Sequence, residues 1–350
     1  MSLTEKELIF AAEKKLQHPV ARSVRLKGDA SDRNYFRLWV NGIPETIIAM
    51  VNDSPFDHNL PFITINRFFL KNSIRVPEII DIDYNSGIIY LSDCGDISME
   101  KFLSGLHPGR YIEPYKKCID ELIKIHNLRE SPDCPVIFAN SFDFNKLMWE
   151  LDFFLIHTVR NLLGITIGKK DLFSMESLFS RICRILENEP GVVTHRDYHS
   201  RNIFFKKGQG FILDFQDARM GPRQYDLCSL LKDSYFKLPE EAVDKLILYY
   251  LDKAGLKNPD TGHFTRIFYI MSFQRNLKAA GTFGYLSTVK NKKEYERFLP
   301  RTFEYIWSYS KKYDELKEAA EILGKYIGRI FPNLKENVYL HTNPKFEYPP

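Results

Sequence analysis

The sequence predicts an α+β chain in which a small β-rich part precedes a larger, mostly helical one. Three observations carry this. Five short β-branched or aromatic runs fall within the first 90 or so residues, helical periodicity takes over after Asp93-Cys94-Gly95, and a polar loop at 195–202 sits between two apolar strands. A chain of 350 residues, 44% hydrophobic and 27% charged, buries a sizeable core, which excludes disordered and collagen-like classes.

The elements follow in order. Segments 24–26, 35–40 and 46–51 read as strands, separated by Gly28-Asp29 and by the hairpin signal Asn41-Gly42. Segment 60–71 has apolar residues near helical spacing at Phe62, Ile65 and Phe69, and Pro77 follows it. Segments 77–81 and 87–91 read as two further strands around Asn85-Ser86-Gly87. Helices are then expected over 111–128, 143–163, 171–188, 224–236, 240–255, 262–280 and 291–327, and Tyr115, Ile119, Leu122, Ile123 and His126 mark the apolar stripe of the first. Strands at 202–205 and 210–214 interrupt the helical part. The expected organisation is 1–93 as a phosphate-covering N-lobe, 94–340 as a helical C-lobe and 341–350 as a loose tail. Ligands favour an interface between two such lobes.

Composition narrows the function classes. The 49 Lys and Arg against 45 Asp and Glu leave a net charge of +4, too little to argue for nucleic acid or a membrane surface. Five cysteines, an odd number without C-x-x-C spacing, give neither a disulfide framework nor a thiolate zinc site. Reduced thiols in a cytoplasmic protein are expected. The acidic N-terminal stretch with Glu5, Glu7 and Glu13 does not read as a signal peptide, and no apolar run is long enough for a membrane helix.

The chemistry-bearing segment is His195-Arg196-Asp197-Tyr198-His199-Ser200-Arg201-Asn202, followed by Asp214-Phe215-Gln216-Asp217 at the end of the next strand pair. An Asp fixed in such a loop can accept the proton of a hydroxyl. Asn202, five residues later, offers a neutral oxygen to a metal, and Asp214 offers an anionic one. Two oxygen ligands suit a hard cation that keeps waters and bridges phosphates, which is the Mg²⁺ pattern. The spacing matches the H-R-D-x-x-x-x-N loop and the metal aspartate of kinase-type phosphoryl transfer. His199 reads as loop support, a substrate contact or a partner of a backbone carbonyl.

The chain resembles the aminoglycoside phosphotransferase and choline kinase superfamily, and within it the bacterial cell-wall amino-sugar kinases. Four segments carry the resemblance: residues 28–37, the loop 195–202, Asp214 to Ala218 with Gly221-Pro222 and Tyr225-Asp226-Leu227, and Gln274-Arg275-Asn276-Leu277-Lys278 with Gly281 and Phe283. It implies a bilobal protein-kinase-like fold with a small antiparallel N-lobe. It also implies ATP as phosphate donor, Mg²⁺ as cofactor, and as acceptor the anomeric hydroxyl of N-acetylmuramate or N-acetylglucosamine. His195 and Arg196 would flank Asp197 in catalysis, and Asp226 is favoured as a buried partner of the loop over a helix N-terminal charge. Asp217 reads as loop structure or substrate contact.

Phosphate handling falls to residues 28–37. Gly28 lets backbone N–H groups lie over phosphates, Ser31 adds a hydroxyl, and Arg33 and Arg37 add bidentate donors. The third strand carries no Lys and the helix after it no Glu, so the usual kinase ion pair is absent as a pair. Arg33 or Arg37 is expected to supply part of the missing charge. A hinge is expected at 91–95, including Asp93, whose backbone would meet adenine.

The helical lobe should bind the acceptor. Residues 221–350 carry 21 Lys and Arg against 16 Asp and Glu, which leans away from polycationic acceptors. Glu150, Arg275 and Lys278 are candidate substrate contacts, Arg275 and Lys278 reading equally as a solvated helix face, while Leu155-Ile156-His157 departs from the acidic–aromatic pair expected there. The expectation is a small-molecule kinase, monomeric or weakly dimeric, without nucleic-acid or membrane partners. A kinase for aminoglycosides, choline or ethanolamine and a catalytically silent nucleotide-binding protein are the alternatives.

Overall fold

The structure, a computed structural model, describes residues 4–26, 33–52, 54–57, 60–256, 260–310 and 312–328. Helix α1 (Glu5–Leu16) leads into strands β1 (Val20–Leu26), β2 (Asn34–Val40) and β3 (Ile47–Val51). Helix α2 (Pro61–Lys71) then precedes β4 (Ile79–Asp83) and β5 (Ile88–Ser92). The five strands form one antiparallel sheet in the order β1-β2-β3-β5-β4. Helices α3 (Met99–Ser104), α4 (Ile112–His126) and α5 (Pro135–Phe138) come next, then α6 (Phe144–Phe154), a π-helical continuation (Leu155–Leu162) and α7 (Lys169–Glu187). Short strands β6 (Gly191–Thr194), β7 (Ile203–Lys206), β8 (Gln209–Ile212) and β9 (Arg219–Pro222) follow. Helices α8 (Gln224–Leu231), α9 (Glu240–Lys253), α10 (Thr261–Thr288), α11 (Leu299–Ser310) and α12 (Asp314–Ile327) complete the described chain.

Two compact units emerge. The first gathers the described residues up to Phe142 with Glu189–Phe264, and the second gathers Asp143–Asn188 with the described residues from Thr265 onward. In the first, α1 covers one face of the sheet. Its Leu8 and Ala12 pack against Leu38, Val40, Ile47, Ala49 and Tyr90, all buried. The helix starts at a capping box: the Thr4 hydroxyl accepts the Glu7 N–H at 3.3 Å, and Glu7 Oε2 accepts the Thr4 N–H at 2.8 Å. This helix is absent from the sequence reading. The Asn41-Gly42 signal marks a real turn, with Gly42 at φ 81, but six residues rather than two join β2 to β3.

In the second unit α10 is apolar on nearly every face, because it is buried from Ile267 to Phe273 without a break. Two glycines let it approach the α6 segment closely. A Cβ on Gly281 would stand 2.9 Å from the Phe154 backbone, and one on Gly284 would stand 2.7 Å from the His157 carbonyl oxygen. The Thr158 hydroxyl donates to the Ala280 carbonyl across the same seam, at 2.6 Å.

Segment 291–327 is not one helix. A 3₁₀ turn over Lys293–Phe298 precedes α11, and Tyr313 in extended conformation (φ −133, ψ 127) separates α11 from α12. Helix α8 ends at Leu231 rather than 236. Asp233 turns its carboxylate to the N–H groups of Ser200 and Tyr235, and these tertiary bonds outweigh helix propensity. All five cysteines are buried and free. Burial pushes the thiols of Cys94 and Cys183 up to about 12 and that of Cys134 to about 11.

Candidate active site

The loop 195–202 leaves β6, which pairs antiparallel with β9, and enters β7, which pairs antiparallel with β8. Rigid strands therefore hold both ends of a polar segment. His195 is wholly buried, and its Nε2 lies 2.9 Å from the Leu213 carbonyl oxygen, one residue before Asp214. Asp226, on the first turn of α8, is also wholly buried. Its Oδ2 accepts the His195 N–H at 2.5 Å and its Oδ1 the Arg196 N–H at 2.9 Å. The acceptor is a wholly buried carboxylate, and a hydrogen bond to a charged group is worth about 1.5–3 kcal/mol. The bonds also offset local strain, because Arg196 sits at φ 84, a left-handed conformation that non-glycine residues rarely adopt.

Asp197 follows that strained residue. Its carbonyl oxygen accepts the His199 N–H and the Asn202 side-chain amide, each at 3.0 Å, so the loop closes on itself. Asn202 Nδ2 also lies 3.4 Å from Asp214 Oδ2. The two candidate metal ligands thus meet although they lie twelve positions apart in the chain. Asp214 is exposed, sits at φ 62, and its Oδ1 accepts from the Gln216 amide at 2.7 Å. This oxygen-bearing pair, reachable by solvent, fits a hard cation that keeps waters in its remaining positions. Arg196 Nη1 pairs with Asp217 Oδ2 at 3.0 Å, and Asp217 is half-exposed. His199 Nε2 stands 3.5 Å from the Asn202 amide, with the Tyr235 ring edge-on at 5.1 Å.

Helix α2 meets this segment through rings rather than charges. Phe215 stacks on Phe62 at 4.9 Å and 28°, and lies 5.8 Å from Phe69. The α2 residues facing inward are Phe62, Ile63, Ile65, Asn66, Phe68 and Phe69. An aromatic lock thus joins this helix to the residue after Asp214.

The candidate phosphate-handling residues divide. Gly28 and Ser31 lie outside the described residues. Arg33 lies against β3, with Nη1 3.9 Å from Met50 Sδ and its guanidinium over the Phe62 ring at 5.7 Å. Arg37 turns to the segment expected as a hinge: it binds Asp93 at 2.6 and 3.2 Å and Asp96 at 2.9 Å. Asp93 also accepts from the Thr46 hydroxyl at 2.6 Å and the Gly95 N–H at 2.7 Å. Burial alone would raise the Asp93 carboxyl; the Thr46, Arg37 and Gly95 donors outweigh it and hold it below the usual aspartate value. The Asp93 side chain is therefore a structural clamp, and its carbonyl oxygen accepts from Lys206 Nζ at 2.6 Å, tying the hinge to β7.

The candidate acceptor residues belong to the second unit. Glu150 is wholly buried and accepts from the Gln274 amide at 3.0 Å. Arg275 is buried and Lys278 half-buried on α10. Four side chains that shape the first unit's site escape the sequence reading: Thr46, Asp96, Glu100, which pairs with Arg201 at 2.8 Å, and Asp233, whose carboxyl burial raises. Among them only Asp233 carries a local signal, an acidic residue inside an expected helical stripe.

Comparison with known proteins agrees with this geometry. The family model described as the phosphotransferase enzyme family (APH) matches residues 23–263. The chain is 30% identical over 319 residues to a Pseudomonas aeruginosa protein named N-acetylmuramate/N-acetylglucosamine kinase, covering 90% of this chain and 91% of that protein. A Neisseria meningitidis protein of the same name is 29% identical over 310 residues, covering 86% and 89%. Among solved structures, spectinomycin phosphotransferase in complex with ADP and spectinomycin superposes with a TM-score of 0.59 at 11% identity, covering 92% of this chain and 100% of that one. A fold of protein-kinase type, the kinase-type loop and these matches agree: the chain belongs to the phosphotransferase enzyme family and is a small-molecule kinase.

Proposed function

We propose that the chain transfers the γ-phosphate of ATP to the anomeric hydroxyl of an amino sugar, N-acetylmuramate or N-acetylglucosamine, in the cytoplasm, as a step of cell-wall recycling. The observation that carries the chemistry is that the Asn202 amide meets both the Asp197 backbone carbonyl and the Asp214 carboxylate. The names of the relatives support the amino-sugar acceptor, and the ADP in the spectinomycin kinase complex supports a nucleotide donor.

In this reading Asp197 orients the sugar hydroxyl and takes its proton. Asn202 and Asp214 hold Mg²⁺, which when bound neutralises charge on the phosphate oxygens. His195 joins the loop to the backbone before Asp214, and Arg196 with Asp217 braces the loop's entry. Arg33, placed at β3, supplies positive charge toward the phosphates, whereas Arg37 holds the hinge. Residues 1–93 cover the nucleotide and 94–340 carry the loop, with Glu150, Arg275 and Lys278 on the acceptor side.

The test is phosphate transfer from ATP, with and without Mg²⁺, to N-acetylmuramate, N-acetylglucosamine, kanamycin and choline. Transfer to either amino sugar, lost on chelation, is the expected result. Transfer only to kanamycin or choline, or to none of the four, refutes the reading.

A further inference from the structure

The β7–β8 hairpin and α4 border a cavity of about 370 Å³ that the phosphoryl-transfer chemistry does not use. Its floor is one face of the hairpin. Ile203 and Phe205 of β7 stand opposite Ile212 and Gly210 of β8, and strand alternation turns all four to the same side. Its wall is one face of α4, where Lys117, Glu121 and Lys124 follow at helical spacing. Arg75 completes the lining, and its carbonyl oxygen accepts the Ile212 N–H at 2.8 Å.

Two features of the lining call for a ligand. Gly210 lies inside a strand, where glycine weakens pairing and often marks the close approach of another molecule. A Cβ there would meet Phe205 Cε1 at 3.5 Å and Ile203 Cγ2 at 3.9 Å, which are ordinary contacts, so crowding does not require the glycine. The second feature is charge. Glu121 is 5% exposed, and its Oε1 takes both Arg75 Nη1 at 2.5 Å and Lys124 Nζ at 2.9 Å. Its Oε2 has no hydrogen-bond partner among the described residues. Asp120 Oδ1 accepts the Tyr249 hydroxyl at 2.8 Å. Lys117 is exposed and makes no ion pair among the described residues. The lining thus holds more cationic charge than its carboxylates answer, and one enclosed carboxylate oxygen lacks a donor. A phosphate on Lys117 and Lys124, carried by a ring whose hydroxyls donate, meets both needs. Ile203 and Phe205 offer the ring an apolar surface.

The cavity also touches the chain beside each chemistry-bearing residue. Tyr198 follows Asp197, Ile203 follows Asn202, and Ile212 stands two residues before Asp214; all three line the cavity and are buried. The Tyr198 hydroxyl donates to the Cys118 carbonyl oxygen on α4 at 2.7 Å, which joins the loop to the wall. Interiors packed this closely transmit displacement. Resting on the kinase reading above for its effect on turnover, we propose that this cavity is a regulatory site for a phosphorylated sugar, the chemical class of the reaction's own product. An occupant pressing on Tyr198 and Ile203 displaces the backbone of Asp197 and Asn202, and lowers kcat without competing for nucleotide or acceptor.

N-acetylglucosamine 1-phosphate is the probe. Hydrogen exchange of the full chain, read by mass spectrometry, should slow in segments 117–124 and 203–212 when the probe is added. It should not slow with N-acetylglucosamine or inorganic phosphate. Unchanged exchange in both segments overturns the proposal, and equal slowing by inorganic phosphate overturns the assigned class. Gly210→Leu fills the cavity and Lys117→Glu reverses an exposed charge; each should raise the probe concentration needed for protection about tenfold. Wild-type affinity in Lys117→Glu overturns the headgroup's place, even where Gly210→Leu fails to fold. With ATP and N-acetylglucosamine both saturating, the probe should lower wild-type kcat about threefold, and have little effect on Lys117→Glu. Inhibition that disappears at saturating sugar comes from the active site alone and overturns the regulatory role. If the wild type phosphorylates no sugar, the functional reading fails alone, and the exchange experiment still judges the cavity.

Discussion

The stacked rings that join α2 to the Asp214 segment make a quantitative demand on both. Phe62 and Phe215 stack at 4.9 Å and 28°, an offset geometry worth about 0.5–1.5 kcal/mol beyond the area it buries. Phe215 also meets Phe69 at 5.8 Å, so Phe215→Leu gives up two ring pairs, about 1–3 kcal/mol in total. Phe62→Leu gives up one ring pair and the Arg33 contact at 5.7 Å, about 1–2 kcal/mol. Leucine nearly conserves volume at both sites, which keeps cavity costs small. The two single variants and the double variant form a cycle read by urea unfolding followed by circular dichroism. The expected coupling is about 1 kcal/mol, because the double variant loses the shared stack only once. Additive losses, with coupling within about 0.3 kcal/mol of zero, would refute the aromatic lock.

Asp197→Asn should lower kcat by about 10²–10⁴ with the fold intact, and an unchanged kcat in the phosphate-transfer assay would remove Asp197 from the chemistry. The folded carboxyl of Asp93 is held below its ordinary value, so its contribution to stability is complete above about pH 3.9 and disappears as pH falls through the folded value. Unfolding midpoints of wild type and Asp93→Asn should therefore differ at neutral pH and converge in acid; a constant gap contradicts the clamp. Gly284→Ala should destabilise by about 1–3 kcal/mol, measured by thermal unfolding, because the new Cβ meets the His157 carbonyl at 2.7 Å. Helix propensity alone predicts the opposite sign, a gain of about 0.5–1 kcal/mol.

Legibility followed sequence distance. His195, Asp197, Asn202 and Asp214 lie within twenty residues, and their chemistry is written in spacing, so the loop could be read directly. The Arg37–Asp93 clamp joins residues 56 apart, and neither side chain announces the other. Asp226 admits two sequence readings because it stands in the first turn of α8; only the fold turns its carboxylate onto the loop's N–H groups. His126 is visible on the α4 stripe, yet its neighbours come from α9 and from around α8, which no periodicity predicts. Helix α1 was legible and unread, since Thr4-x-x-Glu7 is a capping box in plain sequence.

The enclosed thiols have a practical corollary. Thiolate is the species that reacts with oxidants and alkylating reagents. With values pushed to about 11 at Cys134 and about 12 at Cys94 and Cys183, almost none exists at neutral pH. All five are also buried, so the folded chain is expected to leave maleimides unreacted. A cysteine introduced at an exposed position, such as Phe173 on α7, becomes a single attachment point for a fluorophore without any native cysteine having to be removed. Reaction of the remaining five then reports unfolding, giving the protein a built-in clock for its own opening.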